Sequence, residues 1–162
     1  MAKPQPGAQL RPALAEDAEA VANVLISSRL AYMSFAPSAH SPEDVHAWVR
    51  SHLLPSCRTT VALVDGRIVG ALATTQADGV SWIRQLYLLP GWLGKGIGSQ
   101  LLRHAHAELP RPIHLYTFQA NLRARRFYER HGYRAIELTD GRDNEEKCPD
   151  VLYELSASAS IT

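Results

Sequence analysis

Residues 88–99 read Leu88-Leu89-Pro90-Gly91-Trp92-Leu93-Gly94-Lys95-Gly96-Ile97-Gly98-Ser99, and they place three alternate glycines between two apolar runs. Glycine has no Cβ, so a ligand can approach the main chain closely at such a loop. Ile97, Leu101 and Leu102 follow at helical spacing, which predicts a helix that begins at the loop. Because the first N–H groups of a helix are unpaired and carry a partial positive charge, this stretch predicts an anion site, such as a phosphate site.

Two common phosphate loops do not fit this stretch. A Walker A loop requires Ser or Thr directly after its Gly-Lys pair, whereas Lys95 is followed by Gly96. A dinucleotide-binding loop reads GxGxxG, whereas the glycines here read GxGxG. The anion must therefore be identified from the rest of the chain.

The segment before the glycine loop has the pattern of an antiparallel meander. Asp65-Gly66 and Asp78-Gly79 separate three runs rich in β-forming residues, and Asp-Gly between such runs is a strong hairpin signal. The predicted strands are Thr59–Val64, Arg67–Thr75 and Val80–Leu88. A meander in this place argues against the βαβ unit that opens a nucleotide-binding fold.

The remaining periodicities predict a mixed α/β sheet. Pro12 restricts the first strand to a sheet edge, since proline cannot donate to a ladder. Pro110 and Pro112 end the helix that begins at the glycine loop, and Gly132 closes the following one. The other predicted elements are strand Leu10–Leu14, helix Glu16–Leu30, a helix from the Ser41 cap to near Pro55, strand Ile113–Phe118, helix Asn121–His131, and strands Tyr133–Thr139 and Val151–Leu155.

Composition narrows the class of protein. The 162 residues are 46% hydrophobic and predict a single domain over residues 1–162, with its core at about 10–155. The chain has no apolar run long enough for a membrane span or a secretory signal, so we expect a cytoplasmic protein. Cys57 and Cys148 form no CxxC pair, so free thiols and no metal site are expected. The net charge of +1 predicts neither nucleic acid nor a membrane as partner.

A second motif lies in Asn121-Leu122-Arg123-Ala124-Arg125-Arg126-Phe127-Tyr128-Glu129-Arg130-His131-Gly132-Tyr133. This segment resembles the N-x-x-A-x-x-F-Y-E-x-x-G-[FY] pattern of the GNAT superfamily of N-acetyltransferases. The strand before the glycine loop, the loop itself and the element order are similar to that family as well. The resemblance spans about Leu10 to Leu155. It implies a mixed, mostly antiparallel sheet of about seven strands, splayed between strands four and five and flanked by about four helices.

The resemblance also implies a donor. In this family acetyl-CoA gives its acetyl group to a primary amine by direct attack in a ternary complex. The main chain of Leu86 and Leu88 is then expected to pair with the pantetheine arm, with the Leu88 N–H near the thioester oxygen as an oxyanion donor. Asn121 would face the arm across the cleft. The pyrophosphate would lie on the N–H groups of Gly94, Lys95, Gly96, Ile97, Gly98 and Ser99.

Two side chains take part in the implied chemistry. Tyr128 would be the general acid that protonates the departing thiolate, and Arg125 would meet the 3′-phosphate of the coenzyme. The acceptor would be a small-molecule or peptide amine, no metal is expected, and a homodimer is possible.

The sequence departs from the family pattern at two places. Leu93 stands where the family usually has Gln or Arg, so one contact to the pyrophosphate is missing. No carboxylate lies between Ser81 and Leu88, although many members have a basic Glu on this strand. The proton of the amine would then leave through water, a carboxylate elsewhere or a histidine, and the residues considered are Glu145, Glu146, Glu154 and His114.

Two segments are expected to form the walls of the acceptor mouth. They are Tyr32–His40 and the loop Asp140–Pro149, whose acidic residues would suit a cationic amine. The departures at Leu93 and on strand four leave a second interpretation open, a non-catalytic module that binds or senses acyl-CoA. A third, nucleic-acid binding by the arginine cluster around residues 123–134, is disfavoured by the near-neutral charge.

Overall fold

The structure is a computed structural model that describes residues 7–36 and 38–157. The predicted irregular ends, Met1–Gln9 and Ser156–Thr162, lie mostly outside these residues. Within the described part, seven strands form one sheet in the order β1-β2-β3-β4-β5-β7-β6. The strands are β1 Gln9–Pro12, β2 Arg58–Val64, β3 Arg67–Ala77, β4 Val80–Leu88, β5 Ile113–Phe118, β6 Arg134–Leu138 and β7 Asp150–Leu155.

The meander β2-β3-β4 forms as the sequence predicts. Asp65 and Gly66 have φ of 51° and 75°, and Asp78 and Gly79 have 53° and 79°. Positive φ at both central residues belongs to the turn that matches the twist of paired strands. Strand β1 pairs with β2 and is an edge strand, as Pro12 requires. It begins and ends earlier than predicted, at Gln9 and Pro12.

Four helical segments of the described chain flank the sheet. They are a 3-10 turn at Ala15–Asp17 that leads into α1 Ala18–Tyr32; a segment of α2 Pro42–Trp48, a π-helical turn at Val49–Leu53 and α3 Leu54–Ser56; α4 Ile97–Glu108; and α5 Leu122–Arg130. The Ser41 side chain accepts a hydrogen bond from the Asp44 N–H at 3.1 Å, so the predicted cap is confirmed. The π-helical turn inside the second segment was not predicted.

The core has two parts, one on each face of the sheet. Helices α4 and α5 cover one face, where Leu101, Leu102 and Leu115 are buried. Helix α1 and the 42–56 segment cover β2 and β3 on the other face, where Val21 and Leu53 are buried. Each such side chain contributes about 1.5–3 kcal/mol by leaving water.

The sheet opens between β4 and β5, its parallel pair within the described residues. These strands are in register only at Ser81 with Ile113 and at Trp82 with His114. The register between β3 and β4 shifts at Arg84, the extra residue of a β-bulge. Beyond this bulge β4 stays paired with β3, up to Leu88 with Gly70. The predicted fold class, including the splay between strands four and five, is confirmed.

Candidate active site

The structure contains a cavity with a volume of about 690 Å³, and we call it the main cavity. It lies between the end of β4, the glycine loop, the first turns of α5 and the end of α1. Its lining residues are Ser28, Tyr32, Met33, Leu86, Tyr87, Leu88, Leu93, Gly94, Gly96, Gly98, Ser99, Asn121, Arg123, Ala124, Phe127, Tyr128 and Arg130.

The glycine loop presents its backbone to the main cavity. Gly94 and Gly96 have φ of 76° and 83°, a conformation that a residue with a Cβ adopts only under strain, and Gly96 is the N-cap residue of α4. Gln100 is the first residue of α4 whose N–H binds a backbone carbonyl, that of Gly96. The N–H groups of the three preceding helical residues, 97–99, are therefore free to bind an anion.

The other residues of the loop have different roles. Gly98 faces α5, where a Cβ on it would make an ordinary van der Waals contact with the Phe127 ring at 3.4 Å. Ile97 is buried in the core, and the Lys95 ammonium lies 5.7 Å from the centre of the Trp92 ring. Neither Lys95 nor Ile97 lines the main cavity.

Helix α5 begins at the gap between the strands and forms the opposite wall. The Asn121 side chain accepts a hydrogen bond from the Ala124 N–H at 3.2 Å and caps the helix. Asn121, Ala124 and Tyr128 share the face that lines the main cavity, as their spacing predicts. Tyr128 is only 8% exposed, and burial raises the pKa of its phenol well above the ordinary value. The phenol is therefore protonated throughout the neutral range.

A second, smaller cavity passes through the gap in the sheet, and we call it the splay cavity. It has a volume of about 90 Å³ and shares Leu86, Tyr87, Asn121 and Tyr128 with the main cavity. Arg84, Gln85, Tyr116, Thr117 and Phe118 line its far end. The two cavities therefore adjoin each other at the gap between β4 and β5.

Tyr87 lies where the two cavities meet, and the sequence did not single it out. Burial raises the pKa of its phenol, while the positive charge of Arg29 acts in the opposite direction. The nearby Tyr87 phenol in turn adds to the raised pKa of Tyr128. Two neighbouring phenols from different elements thus border the gap, an arrangement that only the fold creates.

The arginines of α5 divide between two faces. The Arg125 Nε donates to the Tyr153 hydroxyl at 3.1 Å, and one Nη donates to the Gln119 carbonyl at 3.3 Å. Arg125 does not line the main cavity; Arg123 and Arg130 do. Their i, i+7 spacing, with Phe127 between them, is the sequence signal that could have identified them.

The two predicted walls of the acceptor mouth contact each other above the gap, and we call this pair of segments the roof. Glu146 accepts a hydrogen bond from an Arg29 Nη at 3.1 Å, and Glu145 lies 3.0 Å from the His40 Nε2. The Phe35 ring packs edge-on against Phe118 of β5 at 5.9 Å. Of the segment Tyr32–His40, Pro37 lies outside the described residues.

None of the residues considered as proton acceptors lines either cavity. Glu145 and Glu146 pair with His40 and Arg29 in the roof. His114 pairs with Glu154 at 2.8 Å. Each carboxylate is thus engaged with a basic partner, and the charge of Glu146 adds, after burial, to the raised pKa of Tyr87 at the gap.

Two further findings concern the described part of the chain as a whole. Its helices include none with the length and hydropathy that a membrane span requires. Its His, Cys, Asp and Glu residues form no group of three or more that could hold a metal ion.

The splayed sheet, the anion-binding loop and the facing helix α5 are the features of an acyltransferase fold. The family model described as "Acetyltransferase (GNAT) family" matches residues 25–133. Because this match covers more than half of the chain, the protein belongs to the GNAT acetyltransferase family.

Solved structures support the fold. The chain superposes on the PaiA N-acetyltransferase from Thermoplasma acidophilum in complex with coenzyme A with a TM-score of 0.72 at 20% identity, covering 93% of this chain and 99% of that one. An acetyltransferase from Thermus thermophilus gives 0.74 at 19% identity over 93% and 97%. A putative phosphinothricin N-acetyltransferase gives 0.75 at 22% identity over 94% and 99%. A search of curated protein sequences found no match.

Proposed function

We propose that the protein transfers an acetyl group from acetyl-CoA to a primary amine by direct attack in a ternary complex. The observation that carries this proposal is the pair of adjoining cavities, one beside the glycine loop and one at the gap between β4 and β5, which share Tyr128 in their walls. One face of the sheet would then hold the donor and the other would admit the acceptor. The coenzyme A bound to the PaiA enzyme, which shares this fold, supports the choice of donor.

The N–H groups at Gly94–Ser99 would hold the pyrophosphate. This assignment relies on the main chain, because Leu93 lines the cavity without a polar group. Arg125 was expected to meet the 3′-phosphate, but its bonds to Tyr153 and Gln119 favour Arg123 or Arg130 for that contact. The cofactor residues carried over from the sequence are otherwise Leu86, Leu88, Asn121 and Tyr128.

The direction of the β4 main chain supports its proposed pairing with the pantetheine arm. The Leu89 N–H donates to the Val69 carbonyl of β3 at 2.8 Å. Successive N–H groups of a strand point to alternate sides, so those of Leu86 and Leu88 are directed toward the gap. The Leu88 N–H is then available to stabilise the oxyanion that forms on the thioester oxygen.

The proposed reaction forms one C–N bond and breaks one C–S bond. The neutral amine attacks the thioester carbon, the oxyanion collapses, and the sulfur leaves as the coenzyme A thiolate. Tyr128 gives its phenolic proton to that sulfur, and a well-placed proton donor typically accelerates such a step ~10²–10⁴-fold. The attacking nitrogen loses a proton to water and the Tyr128 phenolate regains one from water, since none of the carboxylates considered for this role lines either cavity.

Acetyl-CoA-dependent thiol release tests the proposal, measured with polyamines, aminoglycosides, amino acids and peptides, alongside calorimetric titration of coenzyme A. Saturable release with at least one amine, and its acetylation seen by mass spectrometry, is the expected result. Binding of coenzyme A without release would instead indicate the non-catalytic acyl-CoA module, which Leu93 and the absent strand-four carboxylate favour. A protein that does not bind coenzyme A would contradict both.

A cytoplasmic location, a single domain and a homodimer stay predictions.

A further inference from the structure

Arg84 is the charged residue at the far end of the splay cavity. It is the extra residue of the β4 bulge, and a bulge re-aims a side chain out of the regular alternation of a strand. Its guanidinium carbon lies 4.7 Å from the centre of the Trp82 ring, and its Nε donates to the Thr75 hydroxyl at 2.9 Å. The stem of the side chain is thus held on the open face of the sheet.

The two Nη groups of Arg84 are available to a ligand. No ion pair among residues 7–36 and 38–157 includes Arg84, and the bond to Thr75 uses the Nε alone. A guanidinium with free Nη groups is suited to bind a carboxylate through two parallel hydrogen bonds. The Trp82 ring beneath it limits the loss of side-chain freedom when a ligand binds.

Charged side chains of both signs lie around the gap. In the roof, Glu146 and Glu145 are paired with Arg29 and His40, so the predicted acidic wall presents less negative charge than its sequence suggests. On the same open face the Tyr116 ring stacks on Trp82, with ring centres 5.8 Å apart, and burial together with the charges of Glu137 and Asp150 raises the pKa of the Tyr116 phenol. The cation of Arg84 and these acidic groups thus border one open face.

We infer that Arg84 selects the acceptor by binding a carboxylate, and that the acceptor is an amino carboxylate whose amine lies at the far end of an unbranched spacer. This inference rests on the proposed acetyl transfer. The amine enters the splay cavity toward Leu86 and Tyr128 while the carboxylate stays on the open face. Free diamino acids, through their distal amine, and short peptides share this chemistry.

The spacing of the strand sets the length of the spacer. Arg84 lies about 13 Å along β4 from Leu88, whose N–H would bind the thioester oxygen, and the guanidinium leans toward Trp82, away from Leu88. An α-amine is too close to its own carboxylate to reach the thioester while that carboxylate contacts Arg84. The distance that remains after the contact at each end requires a spacer of several atoms. The small volume of the splay cavity, about 90 Å³, favours an unbranched chain.

A series of acceptors with increasing spacer length tests the inference. Thiol release from acetyl-CoA is measured with β-alanine, γ-aminobutyrate, δ-aminovalerate and ε-aminocaproate, each beside its methyl ester. We expect kcat/KM to rise with spacer length and to be about 10–100-fold higher for the long carboxylates than for their esters, the value of a charge-assisted pair. Lysine blocked at its α-amine and diglycine are added to distinguish diamino acids from short peptides as the source.

Variants assign the effect to Arg84. Arg84→Gln should raise KM for the long carboxylates about 10–100-fold, change kcat little and leave the esters unaffected. Arg84→Lys should restore part of the preference, because it retains the charge without the planar fork. Arg134→Gln is the matched control, since Arg134 is an exposed arginine of β6 that lines neither cavity. It should behave as the wild type.

The outcomes separate this inference from the proposed function. Equal rates with carboxylates and esters, or a preference that survives in Arg84→Gln, would overturn the role of Arg84 while acetyl transfer stands. Binding of coenzyme A without acetylation of any amine, either in this series or among the polyamines, aminoglycosides, amino acids and peptides named above, would overturn the proposed function and the inference with it.

Discussion

At the scale of single residues, Tyr128 places a protonated phenol in the wall that both cavities share. Tyr128→Phe should lower kcat about 100-fold, the lower end of the range for a proton donor because a thiolate is already a tolerable leaving group, and leave the Kd of coenzyme A nearly unchanged because the ring still packs. Steady-state thiol release and calorimetry measure the two quantities. Since burial raises the pKa of this phenol, its ionisation should not produce an alkaline limb below about pH 10.

Tyr133→Phe is the matched control for this prediction. Tyr133 packs edge-on against Tyr128, with ring centres 5.6 Å apart, and lines neither cavity. Its hydroxyl lies 3.0 Å from the His106 Nε2, so its loss should reduce stability by ~1 kcal/mol and leave kcat unchanged. A Tyr128→Phe enzyme with the full rate would remove Tyr128 from the role of acid.

At the scale of elements, the junction of the glycine loop with α4 depends on the left-handed backbone of Gly96. A Cβ at Gly96 would meet no atom within 4 Å, so the cost of Gly96→Ala is backbone strain of ~1–2 kcal/mol. We expect about a 10-fold weaker Kd for coenzyme A, measured by calorimetry, because the N–H groups behind Gly96 lose their alignment.

Gly79→Ala controls for that strain. Gly79 has a φ of 79°, close to the 83° of Gly96, with the same open space around it, but it lies in the β3–β4 hairpin. Both variants should lose similar stability on urea unfolding, and only Gly96→Ala should lose affinity. Equal affinities of the two variants for coenzyme A would contradict a role for the loop backbone in binding.

The roof is the second feature at this scale, and the ion pair between Arg29 and Glu146 connects it to α1. Arg29 and Glu146 are mostly buried, with side chains 20% and 16% exposed. Glu146→Gln should lower the free energy of unfolding by ~1–3 kcal/mol, because it leaves a partly buried guanidinium without its counter-charge. Glu145→Gln, which breaks the exposed pair with His40, should cost less than ~1 kcal/mol. Urea unfolding compares the two, and equal losses would mean that the Arg29 pair does not fasten the roof.

At the scale of the whole molecule, His106 couples folding to pH. Burial, followed by the charges of Arg111 and His131, lowers the pKa of His106 from 6.5 to about 4. Below pH 6.5 the unfolded chain takes up a proton that the folded protein takes up only near pH 4. Stability should therefore fall as the pH is lowered from about 7 to 4, by ~1–2 kcal/mol from this half-buried group after screening by solvent is allowed for.

Urea unfolding at several pH values measures this effect. His106→Gln should remove that part of the pH dependence, whereas His52→Gln, a change at an exposed histidine, should leave it in place. A His106→Gln protein with the pH dependence of the wild type would contradict the assignment.

Local signals predicted most of the fold and part of the site. Asp65-Gly66 and Asp78-Gly79 determine their own turns, so the meander could be predicted correctly from short stretches of sequence. The π-helical turn at Val49–Leu53 could not, because no short sequence pattern indicates it. The arginines of α5 differ in this respect, because the i, i+7 spacing of Arg123 and Arg130 could have distinguished them from Arg125, which lies on another face of the helix.

By itself the sequence determined the order of the elements, the anion-binding character of the glycine loop and the family, because each depends on residues that are neighbours along the chain. The tertiary structure alone decided which groups meet at the gap. It brought Tyr87 beside Tyr128, paired Glu146 with Arg29, and set Arg84 at the far end of the splay cavity. These contacts join residues that lie far apart in sequence, and the packing of the sheet with its helices and roof is what brings them together.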